Sequence, residues 1–319
     1  MDRRHFIAGL AGGLTGLSMT GARSHAGDSL TLFIPSTLGS GWDRIGQAIA
    51  ASLQETGIVA EPDFVYQTAG PVAGLVQFTD NYRGAGDTLM VCGLGMIGPT
   101  SIDRAHADIL DLTPIASLTT EHVALAVSTD STIFSLDELL AATRANPERI
   151  VYTGASVGGT GHLLVGMLGR HIGIPGRLLT YRGFTGGVGA ANAVISGSAT
   201  CLATGLSEML PELGLGRLRP LAVTSPQRLP GVNIPTFAEQ GLDIELSNWR
   251  AVVAPSGLTP AQKAWLCEAV DRMVVSGAWR SKLFQYNWTS FYLTGDAFAG
   301  FVRQEAERVR VLLRKLALT

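Results

Sequence analysis

A chain of 319 residues, 46% hydrophobic and only 16% charged, buries more apolar surface than one core usually serves, and its formal net charge of −2 excludes the positive field that nucleic-acid binding requires. Its three cysteines, Cys92, Cys201 and Cys267, stand far apart without CxxC or Cys/His spacing. That pattern excludes a disulfide framework and a zinc site and leaves them as small buried hydrophobes.

The N-terminus reads as an export signal. Arg3-Arg4 and Phe6 precede a mostly apolar, glycine-rich run from Ile7 to Met19, and Ser24-His25-Ala26 is a small-x-small cleavage pattern. Residues 1–26 are therefore expected to be a signal peptide, removed near Ala26. The run is too short to span a bilayer core of roughly 30 Å, and no later stretch reaches about 18 uncharged apolar residues, so the mature chain is expected to be soluble. The twin arginine resembles the signal for export of folded proteins, whereas Asp2, where Ser or Thr is usual, fits a plain secretory signal; both routes stay open.

Short β-rich runs then alternate with amphipathic segments, which predicts two α/β lobes with helices on both sheet faces. Leu30 to Ile34 is the first strand, and Ile45, Ile49 and Leu53 carry a helix that Gly57 ends. Ile58 to Tyr66 predicts a second strand, Thr88 to Cys92 a third, and Ile115 to Leu118 and Val123 to Val127 two more. Ser135 with Glu138 predicts a capping box, and Asn146-Pro147 closes that helix. Strand Ile150 to Thr153, helix Thr160 to His171 and strand Leu178 to Tyr181 follow. Thr259-Pro260 with Gln262 opens a helix to about Ser276, and Phe298, Phe301, Val302, Val309, Leu312 and Leu316 line a closing one.

Three Gly-rich strand-to-helix loops concentrate the chemistry: Ser36 to Asp43, Gly154 to His162 and Gly183 to Gly187. Glycine lets backbone approach a ligand, and the free amides of a helix start favour an anion. Hydroxyls at Ser40, Ser156, Thr160 and Thr185 add donors, so a carboxylate can be held without lysine or arginine. For any single loop, turn geometry alone is an equally good explanation; three at strand carboxyl ends point to a site.

Two motifs are misleading. Gly154-Ala155-Ser156-Val157-Gly158 fits G-x-S-x-G, but no histidine follows His171 to serve as a late base, and His162 and His171 sit on the next helix. Gly93-Leu94-Gly95-Met96-Ile97-Gly98 fits G-x-G-x-x-G, but it follows the third strand, and Pro99 is expected to interrupt the helix a dinucleotide needs. Trp42 reads equally as cleft wall or core. Asp43 is expected to cap its helix. Arg182 and Arg250 either pair with an anionic ligand or sit in surface or interlobe ion pairs, the second being expected. Glu208 either accepts from a ligand hydroxyl or is a solvated helix-end charge.

Ile34-Pro35 with Gly39, Gly41-Trp42-Asp43, Tyr152 with the loop to His162-Leu163, and Tyr181-Arg182-Gly183 occur in the order seen in one family. So do Leu221-Ala222-Val223-Thr224 with Arg228-Leu229-Pro230, Ile234-Pro235-Thr236 with Glu239-Gln240-Gly241, and Trp249 ahead of Ala254-Pro255. The chain resembles the periplasmic solute-binding component of a tripartite tricarboxylate transporter, the Bug receptors. Gly41-Trp42-Asp43 is nearer to the citrate-binding branch than to the amino-acid or nicotinate-type branches. The family's usual Arg-Pro-Gly is replaced by Gln67-Thr68-Ala69-Gly70-Pro71.

The resemblance implies a type II periplasmic-binding-protein fold: two doubly wound α/β lobes joined by a two-segment hinge, crossed near Thr120 and Asn248. Lobe 1 is expected over 27–120 plus 249–319 and lobe 2 over 121–248. Loops and resemblance together give the expected ligand-binding set: Ser36, Ser40, Gly41, Trp42, Thr68, Thr153, Ser156, Gly158, Gly159, Thr160, Tyr181, Gly183, Thr185 and Ser207. The implied function is capture of a small di- or tricarboxylate, citrate-like first, by a periplasmic monomer that delivers it to large and small membrane transporter subunits. No catalysis, cofactor or metal is expected. The alternatives are an exported hydrolase or isomerase using Ser156 or Glu208, and a ligand sensor for a signalling partner.

Overall fold

A computed structural model describes residues 29–318, so the expected signal peptide over 1–26 lies outside the described residues. Strand β1 (Thr31–Ile34) is followed by α1 (Gly41–Glu55), β2 (Asp63–Tyr66), α2 (Pro71–Asn81), β3 (Thr88–Gly93) and α3 (Leu94–Asp103). Leu32, Phe33 and Ile34 are all fully buried, the continuous apolar run of a parallel strand covered on both faces. In α1, Ile45, Ile49 and Leu53 form a buried stripe, and the N-cap Ser40 hydroxyl accepts the Asp43 amide.

Strand β4 (Thr113–Ser128) then runs 16 residues without interruption. Two strands were expected here, and the structure corrects that. Glu121, polar and mid-strand, is buried beside Arg250 and Asn248, and the register with the later strand 247–254 continues through Thr119-Thr120-Glu121-His122 without a turn. The second lobe follows with α4 (Leu136–Ala145), β5 (Val151–Gly154), α5 (Thr160–Ile172), β6 (Thr180–Gly183), α6 (Gly187–Ile195), β7 (Cys201–Gly205), α7 (Leu206–Gly214) and β8 (Leu218–Val223). Strand β9 (Ser247–Ala254), α8 (Pro260–Val274), α9 (Gly277–Tyr286), β10 (Thr289–Thr294) and α10 (Gly295–Lys315) complete the chain.

The topology gives two lobes sharing β4. Its first part pairs with β9 and β10, in a sheet that continues through β3, β1 and β2; its second part pairs with β7 and β8, in a sheet that continues through β5 and β6. Within each sheet the other strands of the first βαβ units are parallel: β1 with β2 and β3, β5 with β6 and β7. A doubly wound sheet opens its ligand crevice at strand carboxyl ends, here those of β1 and β3 in one lobe and of β5, β6 and β7 in the other.

Four local expectations change. Strand β2 begins only at Asp63, because Glu61 sits in a bend and Pro62 has no amide to donate to a strand ladder. The Ser135 hydroxyl does cap α4, but Glu138 reaches back to the Phe134 amide, not to Ser135. A 3-10 turn at Gly176–Leu178 delays β6 to Thr180. Pro99 lies inside α3 without ending it. Its ring removes only the donor that would bond the Gly95 carbonyl, and Gly95 borders the interlobe crevice. Among the described residues no helix is long and apolar enough to cross a membrane. Cys92 and Cys201 are free and fully buried, with burial pushing both thiols up, as small hydrophobes should be.

Candidate ligand-binding site

The crevice between the lobes is bordered by the starts of six helices. Ser40 and Gly41 open α1, Pro71 opens α2, Gly95 lies in the first turn of α3, Gly159 and Thr160 open α5, Gly186 caps α6 and Gly205 caps α7. Each helix start brings orphan amides and a partial positive charge, so their convergence favours an anion. The crevice volume is about 50 Å³, room for only a few water-sized groups, so the lobes are drawn close. Backbone contact beside it depends on glycine: a Cβ on Gly98 of α3 would overlap the carbonyl oxygen of Gly158, which itself has φ +83°.

Of the expected residues, Ser36, Ser40, Gly41, Trp42, Ser156, Gly159, Thr160 and Thr185 border the crevice together. Trp42 is at once core and wall, with 8% exposure. The Ser36 hydroxyl donates to the Thr185 carbonyl across the lobes at 2.6 Å. Asp43 supports this loop from behind: its carboxylate accepts the Gly39 amide at 2.7 Å and the Tyr66 hydroxyl at 2.6 Å. Burial, and then that bond to Asp43, pushes the Tyr66 phenol up to about 12.

Six expected residues do not border the crevice. Thr68 is exposed in the β2–α2 loop. Thr153 is fully buried and spends its hydroxyl on the Arg182 carbonyl within the β5–β6 pair. The Gly158 amide donates to His162 Nδ1 at 3.0 Å. Tyr181 donates its hydroxyl to the Ala155 carbonyl and stacks on the His162 ring, centroids 4.3 Å apart, and so props the loop. Gly183 is exposed, with its α-carbon face against the Val157 amide. Ser207 is buried, its amide donating to Glu121 and its carbonyl accepting from Arg44.

The same bonds dispose of the hydrolase motif. His162 Nδ1 is occupied by the Gly158 amide, and burial lowers the imidazole to about 4, so the ring is a neutral structural acceptor. Arg182 is exposed and donates to the Ser198 carbonyl.

Arg250, for which the sequence favoured an ion pair over a ligand, forms that pair at the edge of the crevice. It is 5% exposed, borders the crevice, and donates through Nη2 to Glu121 Oε1 at 2.8 Å, while its Nε has no partner. Glu121 also accepts from the Asn248 side chain and the Ser207 amide. The signal was present: a lone charge inside the apolar strand Trp249-Arg250-Ala251-Val252-Val253 must have a buried partner or a ligand. Glu208, weighed without decision, also borders the crevice; Oε1 accepts the Gly41 amide of the opposite lobe and Oε2 the Thr204 hydroxyl.

With this geometry in view, the chain's relatives can be compared. The family described as tripartite tricarboxylate transporter family receptor, TctC, matches residues 80–318. Protein BugT of Bordetella pertussis is 23% identical over 299 residues, spanning 90% of this chain and 88% of BugT. MatC of Rhodopseudomonas palustris, solved with bound malate, superposes with a TM-score of 0.77 at 21% identity, over 90% of this chain and 99% of MatC. A second R. palustris protein, solved with adipate, superposes with a TM-score of 0.80 at 23% identity, over 91% of this chain and 97% of its own. The chain belongs to the tripartite tricarboxylate transporter receptor family, whose members are periplasmic solute-binding receptors and not enzymes.

Proposed function

We propose that the protein captures a small di- or tricarboxylate, citrate-like first, in the interlobe crevice and delivers it to the large and small membrane subunits of a transporter. It does so as a periplasmic monomer whose signal peptide is cleaved near Ala26. Lobe 1 spans 27–120 plus 249–319 and lobe 2 spans 121–248, with hinge segments near Thr120 and Asn248. Ser36, Ser40, Gly41, Trp42, Ser156, Gly159, Thr160 and Thr185 supply the amides, hydroxyls and wall that contact the ligand, and Arg250 adds the guanidinium Nε.

The observation that carries this reading is the opening of six helix N-termini onto one crevice, beside a buried arginine with a free donor. MatC and the adipate-bound protein hold dicarboxylates, which supports the ligand class. Ligand contacts made to both lobes favour their approach only as far as the closed state is contacted better than the open one.

A thermal-shift panel of malate, adipate and citrate beside neutral sugars and cations tests the reading. A carboxylate at 100 times its dissociation constant stabilises the protein by about 2.7 kcal/mol. A clear shift with a sugar or cation and none with any carboxylate would overturn it.

A further inference from the structure

A carboxylate of the protein's own already stands among these helix starts. Glu208 occupies the third position of α7, where a glutamate ordinarily turns back onto the amide of its own N-cap. Here it reaches out of its lobe instead: Oε1 accepts the Gly41 amide at the start of α1, and Oε2 accepts the Thr204 hydroxyl. A Cβ built on Gly187, the first residue of α6, would lie 2.8 Å from Oε2, and one built on Gly41 would lie 2.5 Å from both Glu208 Oε1 and Arg250 Nη2. One side-chain carboxylate thus accepts from one helix N-terminus and a hydroxyl and lies close to a second helix start, with a guanidinium nearby. That is the chemistry by which the crevice would receive a ligand carboxylate, in a space of about 50 Å³.

We infer that Glu208 is a built-in competitor, a carboxylate that bridges the lobes through α1 and surrenders that position to the carboxylate of the ligand. The inference rests on the reading that the crevice takes carboxylates. Exchange of one carboxylate for another has two consequences. Without ligand, the bridge holds the lobes closer than the hinge alone would. With ligand, the displaced Glu208 stays within Coulombic reach and opposes binding more strongly the more negative the ligand is. The buried Glu121–Arg250 pair leaves little positive charge to offset it. Glu208 therefore discriminates by charge, costing a tricarboxylate more than a dicarboxylate, and the cost is partly offset where the ligand, as malate and citrate do, carries a hydroxyl that can donate to it.

The test combines calorimetric titration with small-angle scattering at pH 7. Glu208→Gln is expected to bind malate about tenfold more tightly than wild type, and citrate with a larger gain still. Glu208→Ala, which removes the acceptor altogether, is expected to raise the radius of gyration of the ligand-free protein. Gly41→Ala, which crowds the bridge from the α1 side, should raise it too. Unchanged scattering in both Ala variants, or equal or weaker binding of malate and citrate by Glu208→Gln, overturns the inference. Failure of the wild-type protein to bind malate, adipate or citrate overturns instead the carboxylate reading of the crevice, and the scattering arm then still decides whether Glu208 bridges the lobes.

Discussion

Arg250 and Glu121 face one another where both hinge strands meet, with side chains only 6% and 2% exposed. A buried ion pair adds little over an apolar pair, but removing one partner leaves the other charge uncompensated. Glu121→Gln also weakens the acceptor used by Asn248 and the Ser207 amide. The variant is expected to lose about 3–5 kcal/mol of unfolding free energy in denaturant titration.

His162 offers a second test at the residue scale, because its imidazole is lowered to about 4 by burial against an ordinary value near 6.5. Between those two values the unfolded chain binds a proton that the folded chain refuses, so the contribution of His162 raises stability with pH across that window and adds no slope outside it. Holding the imidazole at about 4 instead of near 6.5 corresponds to a difference of the order of 3 kcal/mol. His162→Asn, which does not titrate, should flatten that part of the stability profile measured from pH 4 to 7. His122, lowered chiefly by burial, adds a slope of the same sign that the variant leaves in place.

At the scale of the elements, two caps allow helix stabilisation to be told apart from ligand contact. Ser40 caps α1 at the crevice, whereas Thr259 caps α8 in a full capping box with Gln262, and Thr259 does not border the crevice. Loss of either hydroxyl costs about 1 kcal/mol. Ser40→Ala is expected to weaken binding of malate as well, while Thr259→Ala leaves its dissociation constant unchanged; calorimetry on the two variants reads the difference.

The elements also show what the sequence made legible. Strand β1, helix α1 and the closing helix followed from local apolar spacing, although in the closing helix Phe301 and Leu312 are only half-buried and Ala306 and Leu313 join the core. The continuity of β4 did not, because Glu121 looks like a strand break until Asn248 and Arg250, 127 and 129 residues away, satisfy it. The site was legible in the same uneven way. Loop glycines and hydroxyls announced Ser40, Ser156 and Thr160, whereas the crevice positions of Gly205 and Arg250 depend on a strand order that no local pattern encodes. Thr153 and Tyr181 stay off the crevice because a hydroxyl in a conspicuous motif can be spent on the neighbouring strand or loop.

At the scale of the whole molecule, the two lobes are joined by paired strands, β4 and β9, with register His122 to Ser247 through Thr113 to Ala254. Paired strands restrict relative motion to rotation absorbed by the few residues where β4 passes from one sheet to the other. The helix starts on opposite sides of the crevice can then approach or separate without either lobe repacking its core. Such an arrangement suits reversible capture, since amides and hydroxyls hold an anion firmly without forming a bond that must later be broken.

The most direct test of that capture is a crystal structure with the carboxylate that gives the largest thermal shift. The expected result is a ligand carboxylate within hydrogen-bonding distance of amides at the starts of both α1 and α5, one from each lobe. A ligand held by one lobe alone, or lodged behind the hinge among His122, Trp249 and Phe301, would contradict it.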